Sequence, residues 1–283
     1  MSAKIVITGA SGFIGKSIVS KLKEKKDFEV ISVSRKPQEG FCWVADYSES
    51  PDGDVLIHLG EENTLGKVDK TEVGKAGETI TSLTKKHRYS HIIYASSGVL
   101  YGEDSELKHK TKDPVFVSNH YSELKFNSER AVMNSESGII ARLSNIIGPG
   151  ISADSVVKEI IAQLSTRSDI RLNNLSPVRD FLWVEDAADC FLKMVDSLLN
   201  QKATDAILNV SSGIGTSIES LAKMFIQFSE VPTRRAIGEI LTPRKSTIIL
   251  ENSETVTQLG WEPKVSLAQA VAIMCEIPSK IDK

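Results

Sequence analysis

The stretch from Lys4 to Glu24 constrains the fold more than any other part of the chain. Lys4-Ile-Val-Ile-Thr8 is a short β-branched run, Gly9-Ala-Ser11-Gly12-Phe13-Ile14-Gly15 follows it, and Ile14, Ile18 and Leu22 then recur at helical spacing. That order reads as strand, glycine turn, helix. Such a turn brings the backbone close to a pyrophosphate and aims the positive end of a helix at it, because a side chain at Gly9 or Gly12 would fill the phosphate's space. The spacing G-x-x-G-x-x-G is one residue longer than the usual dinucleotide fingerprint, and a plain strand-to-helix turn is the competing reading.

Further strands are expected at Glu29 to Val33, Val55 to Leu59, His91 to Ala95 and Gly138 to Leu143, with helices over Thr71 to Lys86 and Tyr121 to Ser135. This alternation predicts an α/β fold with a parallel sheet, helices on both faces, and ligands at the carboxyl ends of the strands. A length of 283 residues, 41% hydrophobic and 25% charged, suits one large core and a smaller lobe. A net charge of -3 argues against a nucleic-acid partner. The first strand begins almost at Met1, leaving no room for a signal peptide, and no apolar run is long enough for a membrane span, so a cytoplasmic protein is expected. Cys42, Cys190 and Cys275 are odd in number and widely spaced, which predicts buried reduced thiols and no metal site. His58 lies within an apolar strand and reads as a satisfied core residue.

Tyr121 and Lys125 stand four residues apart, on one face of the helix expected there. A fixed ammonium stabilises a phenolate and draws a tyrosine toward proton transfer near neutrality, although the same spacing occurs by chance on solvated helices. Ser96 and Ser97 end the strand before that helix, and both are expected to face the cleft opened by the glycine turn.

Gly9-x-x-Gly12-x-x-Gly15, Ser97 ahead of Tyr101-Gly102, and Tyr121-x-x-x-Lys125 together resemble the extended short-chain dehydrogenase/reductases, specifically the NAD-dependent epimerase/dehydratase family acting on nucleotide sugars. Arg142-Leu-Ser-Asn145-Ile-Ile-Gly148-Pro149, Val178-Arg179-Asp180-Phe-Leu-Trp-Val-Glu-Asp186, Asn209-Val-Ser-Ser-Gly213 and Leu259-Gly-Trp261-Glu-Pro263 extend the resemblance over nearly the whole chain. It implies a Rossmann-type doubly wound domain over 1–147, to which 179–199 returns, with 148–178 and 200–283 mainly in a substrate-binding lobe. It further implies that Ser97 orients a substrate oxygen, Tyr121 moves the proton, and Lys125 holds the nicotinamide ribose. Gly9, Ser11, Gly12, Phe13, Ile14, Gly15, Ser34, Arg35, Asp46 and Leu59 would line the cofactor. Asn145, Arg179 and Arg244 would contact the nucleotide sugar, with Arg179 on the diphosphate or, alternatively, a surface charge or paired to Asp180. A homodimer is a further expectation from the resemblance.

Ser34, Arg35 and Lys36 end the second strand where an NAD enzyme usually carries an acid, which favours NADP; if Arg35 only stacks on adenine, NAD serves as well. Gly98 and Val99 stand where the family's 4,6-dehydratases carry an Asp-Glu pair, and Val99 and Leu100 offer no base for epimerisation at C3 and C5. What remains is reduction of a 4-keto sugar, a 4-epimerase that retains its cofactor, or a sensor that binds NADP(H) without turnover.

Overall fold

The computed structural model describes residues 2–62, 65–85, 88–103, 107–135, 137–166, 168–202, 206–229, 232–239 and 246–276. Its first half alternates strand and helix: β1 Ala3–Thr8, α1 Phe13–Lys23, β2 Phe28–Ser34, β3 Cys42–Trp43, β4 Gly53–His58, α2 Lys70–Leu83, β5 Tyr89–Ser97, α3 His120–Met133 and β6 Gly138–Leu143. The second half adds β7 Asn145–Ile147, α4 Val156–Leu164, β8 Ile170–Leu172, β9 Val178–Trp183, α5 Val184–Leu199, β10 Ile207–Val210, β11 Gly215–Ser217, α6 Ile218–Gln227, β12 Ala236–Gly238, β13 Thr247–Ile248, α7 Ser253–Leu259 and α8 Leu267–Glu276.

Seven strands form one parallel sheet in the order β10-β6-β5-β4-β1-β2-β3. The strand order reverses between β1 and β4, which opens a crevice at their carboxyl ends. β1 is apolar at consecutive positions because both faces of the sheet are covered. Ile5 and Ile7 pack with Ile18 and Leu22 of α1 and Phe191 of α5, while Val6 packs with Ile80 and Leu83 of α2 and Val132 of α3. Each such side chain withdrawn from water contributes roughly 2 kcal/mol before the cost of ordering the chain.

The expected elements are all present, with shifted ends. α1 begins at Phe13, inside the glycine motif, and α2 stops at Leu83. Residues 200–283 are less uniform than a substrate lobe alone: β10 is an outer strand of the main sheet, and Leu259 and Trp261 join its core. A four-residue apolar strand carries too little periodicity to be recognised before its partner β6 is known. In the same way α5 returns to the main sheet, but β9, which leads into it, pairs with β7, β11 and β13 in a second sheet. The smaller lobe closes around Val157, Ile160, Phe181, Leu221, Phe225 and Val271. Cys190 is buried, whereas Cys42 lies exposed on the two-residue edge strand, a correction to the expectation for all three thiols.

Candidate active site

α3 is held at its start by a reciprocal cap: Asn119 Oδ1 accepts from Ser122 N at 2.9 Å, and Ser122 Oγ accepts from Asn119 N at 3.0 Å. Its buried face carries Ser122, Leu124, Lys125, Ser128, Glu129 and Val132, so an ammonium and a carboxylate point inward where a structural helix would bury apolar groups. Lys125 Nζ donates to Ala95 O at 2.9 Å and to Glu61 Oε2 at 3.0 Å, and lies 6.0 Å from the centre of the Tyr121 ring.

Strand alternation separates the two serines at the end of β5. Ser97 opens with Tyr121 into a cavity of about 970 Å³ also lined by Phe13, Ile14, Val99 and Asn145, and its Oγ accepts from Val99 N at 3.3 Å. Ser96 points away from that cavity, contrary to expectation, and donates to Glu129 Oε1 at 2.5 Å. Glu129 in turn receives Arg142 through Nε at 2.9 Å and Nη2 at 2.7 Å. Burial opposes the charge on Arg142, but the hydrogen bonds and attraction from Glu129 raise its pKa. At Gly98 an added Cβ would meet both Leu250 methyls at 2.9 Å, so an acid there would clash.

The glycine turn has the shape a dinucleotide requires. Gly9 adopts φ +67°, and a Cβ on it would lie 2.9 Å from the Leu59 carbonyl; its glycine is demanded by backbone crowding, not by the phosphate space first assigned to it. A Cβ on Gly15 would stand 2.3 Å from Gly9 O, which fixes the close packing of α1 on β1. At Gly12 only Gly9 O lies near, at 3.1 Å, and the first turn of α1 has no side-chain cap. A Cβ on Gly12 would therefore be tight against backbone as well, and it is the uncapped N–H groups of the first turn that fit a pyrophosphate. Ser11 Oγ and Ser34 Oγ are 3.1 Å apart, and Ser34 Oγ also accepts from Lys36 N at 3.1 Å. A second, smaller cavity is lined by Arg35, Asp46, Tyr47, His58 and Glu61, with the Arg35 guanidinium 4.9 Å above the Tyr47 ring. Burial would raise the Asp46 carboxyl, but hydrogen bonds from Ser48 and Thr79 and the charge on Arg35 hold it below its usual range.

Arg179 does not line the large cavity, which its partner Glu103 and its β9 neighbour Phe181 do, and it is already engaged. It donates to Val178 O, Ser246 O and Ser246 Oγ, and through Nη2 to Glu103 Oε1 at 3.3 Å. Its ionic partner is therefore Glu103 and not Asp180. Asp180 instead accepts from Ser212 N and Oγ and from Gly213 N, bracing the loop after β10, and burial raises its pKa in spite of those bonds. Arg244 lies outside the described residues. Among those described, no group of His, Cys, Asp and Glu could hold a metal, and no helix is long and apolar enough to cross a membrane.

Residues 5–211 match the family model described as the NAD dependent epimerase/dehydratase family. The chain belongs to that family. A GDP-6-deoxy-D-talose 4-dehydrogenase of Aggregatibacter actinomycetemcomitans is 26% identical over 253 residues, covering 80% of each chain. A GDP-6-deoxy-D-mannose reductase of Pseudomonas aeruginosa is 22% identical over 99% of each. The fold is shared with RMD of Pseudomonas aeruginosa complexed with NADPH, at TM-score 0.80 and 18% identity over 97% of this chain and 98% of the other. It is also shared with the UDP-glucose 4-epimerase of Thermotoga maritima, at TM-score 0.81 and 19% identity over 96% and 97%.

Within this NAD(P)-dependent family frame, Glu61 is the site residue that sequence reasoning missed. The available signal was an acidic pair, Glu61-Glu62, just after an apolar strand. The Glu61 carboxylate is 3% exposed and accepts from Ser128 Oγ at 2.6 Å and Tyr94 Oη at 2.5 Å in addition to Lys125. Burial pushes its pKa up, but Lys125, His58 and these hydrogen bonds outweigh that and hold it ionised. Lys125 is correspondingly raised: burial disfavours its charge, and Glu61 more than offsets the loss.

His58 is only half satisfied: Nδ1 bonds Thr8 Oγ1 at 2.7 Å, while Nε2 has no hydrogen-bond partner among the described residues and stands 3.9 Å from Glu61 Oε1. Burial drives its pKa from 6.5 down to about 4. Between those values the unfolded chain binds the proton and the folded chain does not, so stability is full above pH 6.5 and falls as pH drops toward 4. The expected loss from this group is about 3 kcal/mol. Urea unfolding at pH 7 and pH 4.5 should give a shallower pH dependence for His58→Gln than for the wild type, and equal slopes would refute the assignment.

Proposed function

We propose that the protein is an NADP-dependent reductase of a nucleotide-linked 4-keto sugar. The observation that carries this reading is the shared cavity of Ser97 and Tyr121 with Lys125 directly behind them, at the carboxyl edge of the sheet beside the glycine turn. The names of the 4-dehydrogenase and reductase relatives point to the same chemistry. Gly98 and Val99 supply no acid or base for dehydration.

The Gly12 turn and the start of α1 would hold the pyrophosphate, Asp46 the adenine end, and Ser34 with Arg35 a 2′-phosphate. When bound, the nicotinamide supplies the hydride that no side chain can. Ser97 Oγ–H and Tyr121 Oη–H donate to the sugar carbonyl oxygen, which gains negative charge as the carbonyl carbon is reduced. The Tyr121 proton then passes to that oxygen, giving the hydroxyl. Two of the three Lys125 N–H bonds go to Glu61 and Ala95, leaving one for the nicotinamide ribose. Asn145 contacts the sugar, and the substrate diphosphate takes the place of Glu103 on Arg179, exchanging one anion for another on a guanidinium suited to bidentate bonding. A homodimer remains part of this reading.

Thermal-shift screening of UDP, dTDP, GDP and CDP sugars with NADPH present identifies the nucleotide. The matching 4-keto sugar should then consume NADPH, with tighter binding of NADPH than NADH by titration. Interconversion of UDP-glucose and UDP-galactose without added cofactor would overturn the reductase, and equal affinities for the two cofactors would overturn the NADP preference.

A further inference from the structure

The Glu61 carboxylate is met by hydrogen-bonding or charged groups from three elements, while α2 lines the same small cavity with Glu72 and Lys75, paired to each other at 3.2 Å, and Tyr121 shares the large cavity with Glu103 and His109. α3 contributes Lys125 at 3.0 Å and Ser128 at 2.6 Å, β5 contributes Tyr94 at 2.5 Å, and β4 contributes His58 at 3.9 Å. On α3, Tyr121 precedes Lys125 by one turn, while Glu129 follows it by one turn and is committed to Arg142. Arg35 and Asp46 act on the same cluster from beyond His58.

We propose that Glu61 is a positioning residue that holds Lys125 and cancels part of its charge, so that Tyr121 remains a proton donor and the site is biased toward reduction. The proposal deepens the reductase reading and rests on it for the direction of turnover. An ammonium within 4–6 Å of an acid shifts its protonation by roughly one to three pH units. A carboxylate 3.0 Å from that ammonium converts the source from a charge into an ion pair, whose field falls off more steeply. His58 is neutral near pH 7 because burial holds its pKa at about 4, so it does not relieve Glu61 of this role. The buried geometry also keeps water from screening the pair: both side chains are under 10% exposed, at 8% and 3%.

A reductase needs Tyr121 protonated, whereas an oxidising base needs the phenolate. A lysine with an uncompensated charge favours the second state. With Glu61 in place that bias is countered, and one N–H of Lys125 is still left for the cofactor ribose.

The test is a phenolate difference-absorbance titration of Tyr121, taken against the same protein carrying Tyr121→Phe, with no substrate required. Glu61→Gln should move that titration to lower pH by about one unit. Lys125→Gln should move it up, and the double variant should return close to the wild type. Glu61→Asp, which keeps the charge, should stay near the wild type. In turnover, the alkaline limb for reduction in Glu61→Gln should move down by the same amount as the titration. A folded Glu61→Gln that titrates as the wild type does, or a double variant that titrates like Lys125→Gln, overturns the proposal. Should Glu61→Gln fail to fold, the double variant, which leaves no unpaired buried charge, decides between these outcomes. If no nucleotide sugar is turned over but the titrations behave as expected, the reductase reading fails and the role of Glu61 stands.

Discussion

Tyr121→Phe is expected to lower kcat for ketone reduction by about 10³-fold while the nicotinamide nucleotide stays bound. The substitution removes one hydroxyl from the cavity it shares with Ser97 and leaves the ring, the cap on α3 and the Lys125 contacts in place. The loss should fall on kcat, since in the proposed reaction the proton is transferred in the reacting complex and the cofactor would be held largely by the glycine turn. Steady-state kinetics with a fluorescence titration of NADPH separates the two effects. A protein that binds NADP(H) only as a sensor would show no such loss, and a variant retaining a tenth or more of the wild-type rate removes Tyr121 from the chemistry.

The largest expected effect on stability is at Glu129. Both its oxygens are used: Oε1 by Ser96 Oγ and Arg142 Nε, Oε2 by Arg142 Nη2, with the two charged side chains 5% and 4% exposed. Glu129→Gln keeps the shape but leaves the guanidinium without its counter-charge, at an expected cost of about 3 kcal/mol or more. The Tyr101 ring 4.7 Å beneath that guanidinium compensates only weakly. Urea denaturation should show the loss, and a second change, Arg142→Met, should recover much of it, because the penalty belongs to an unpaired buried charge and not to the missing contact. A single variant as stable as the wild type would mean that water reaches Arg142.

The catalytic candidates were legible because their geometry is local. Residues four apart on a helix, such as Tyr121 and Lys125, face one way, and the β1 turn to α1 declares itself through glycines that the structure shows to be crowded by backbone, most severely at Gly15 and Gly9 and more mildly at Gly12. The resemblance singled out Ser97, but the expectation that Ser96 faces the same cleft failed, since the facing of each member of a pair depends on the register of β5. Arg179 was assigned to a diphosphate by the resemblance, or to Asp180 as its neighbour in the chain; its partner is Glu103, 76 residues away, a pairing that only the folded chain brings together.

Strand and helix alternation, the pyrophosphate-shaped turn, the Tyr121 and Lys125 pair and the lack of an acid at residues 98 and 99 were therefore determined by the sequence alone, because each depends on spacings of a few residues. The charge balance around Lys125 was decided only by the tertiary structure. β4 and β5 pair with His58 opposite Tyr94, α3 packs across them, and Glu61 arrives beside a lysine 64 residues further along the chain. Local periodicity carries no information about such a meeting; the sheet order does.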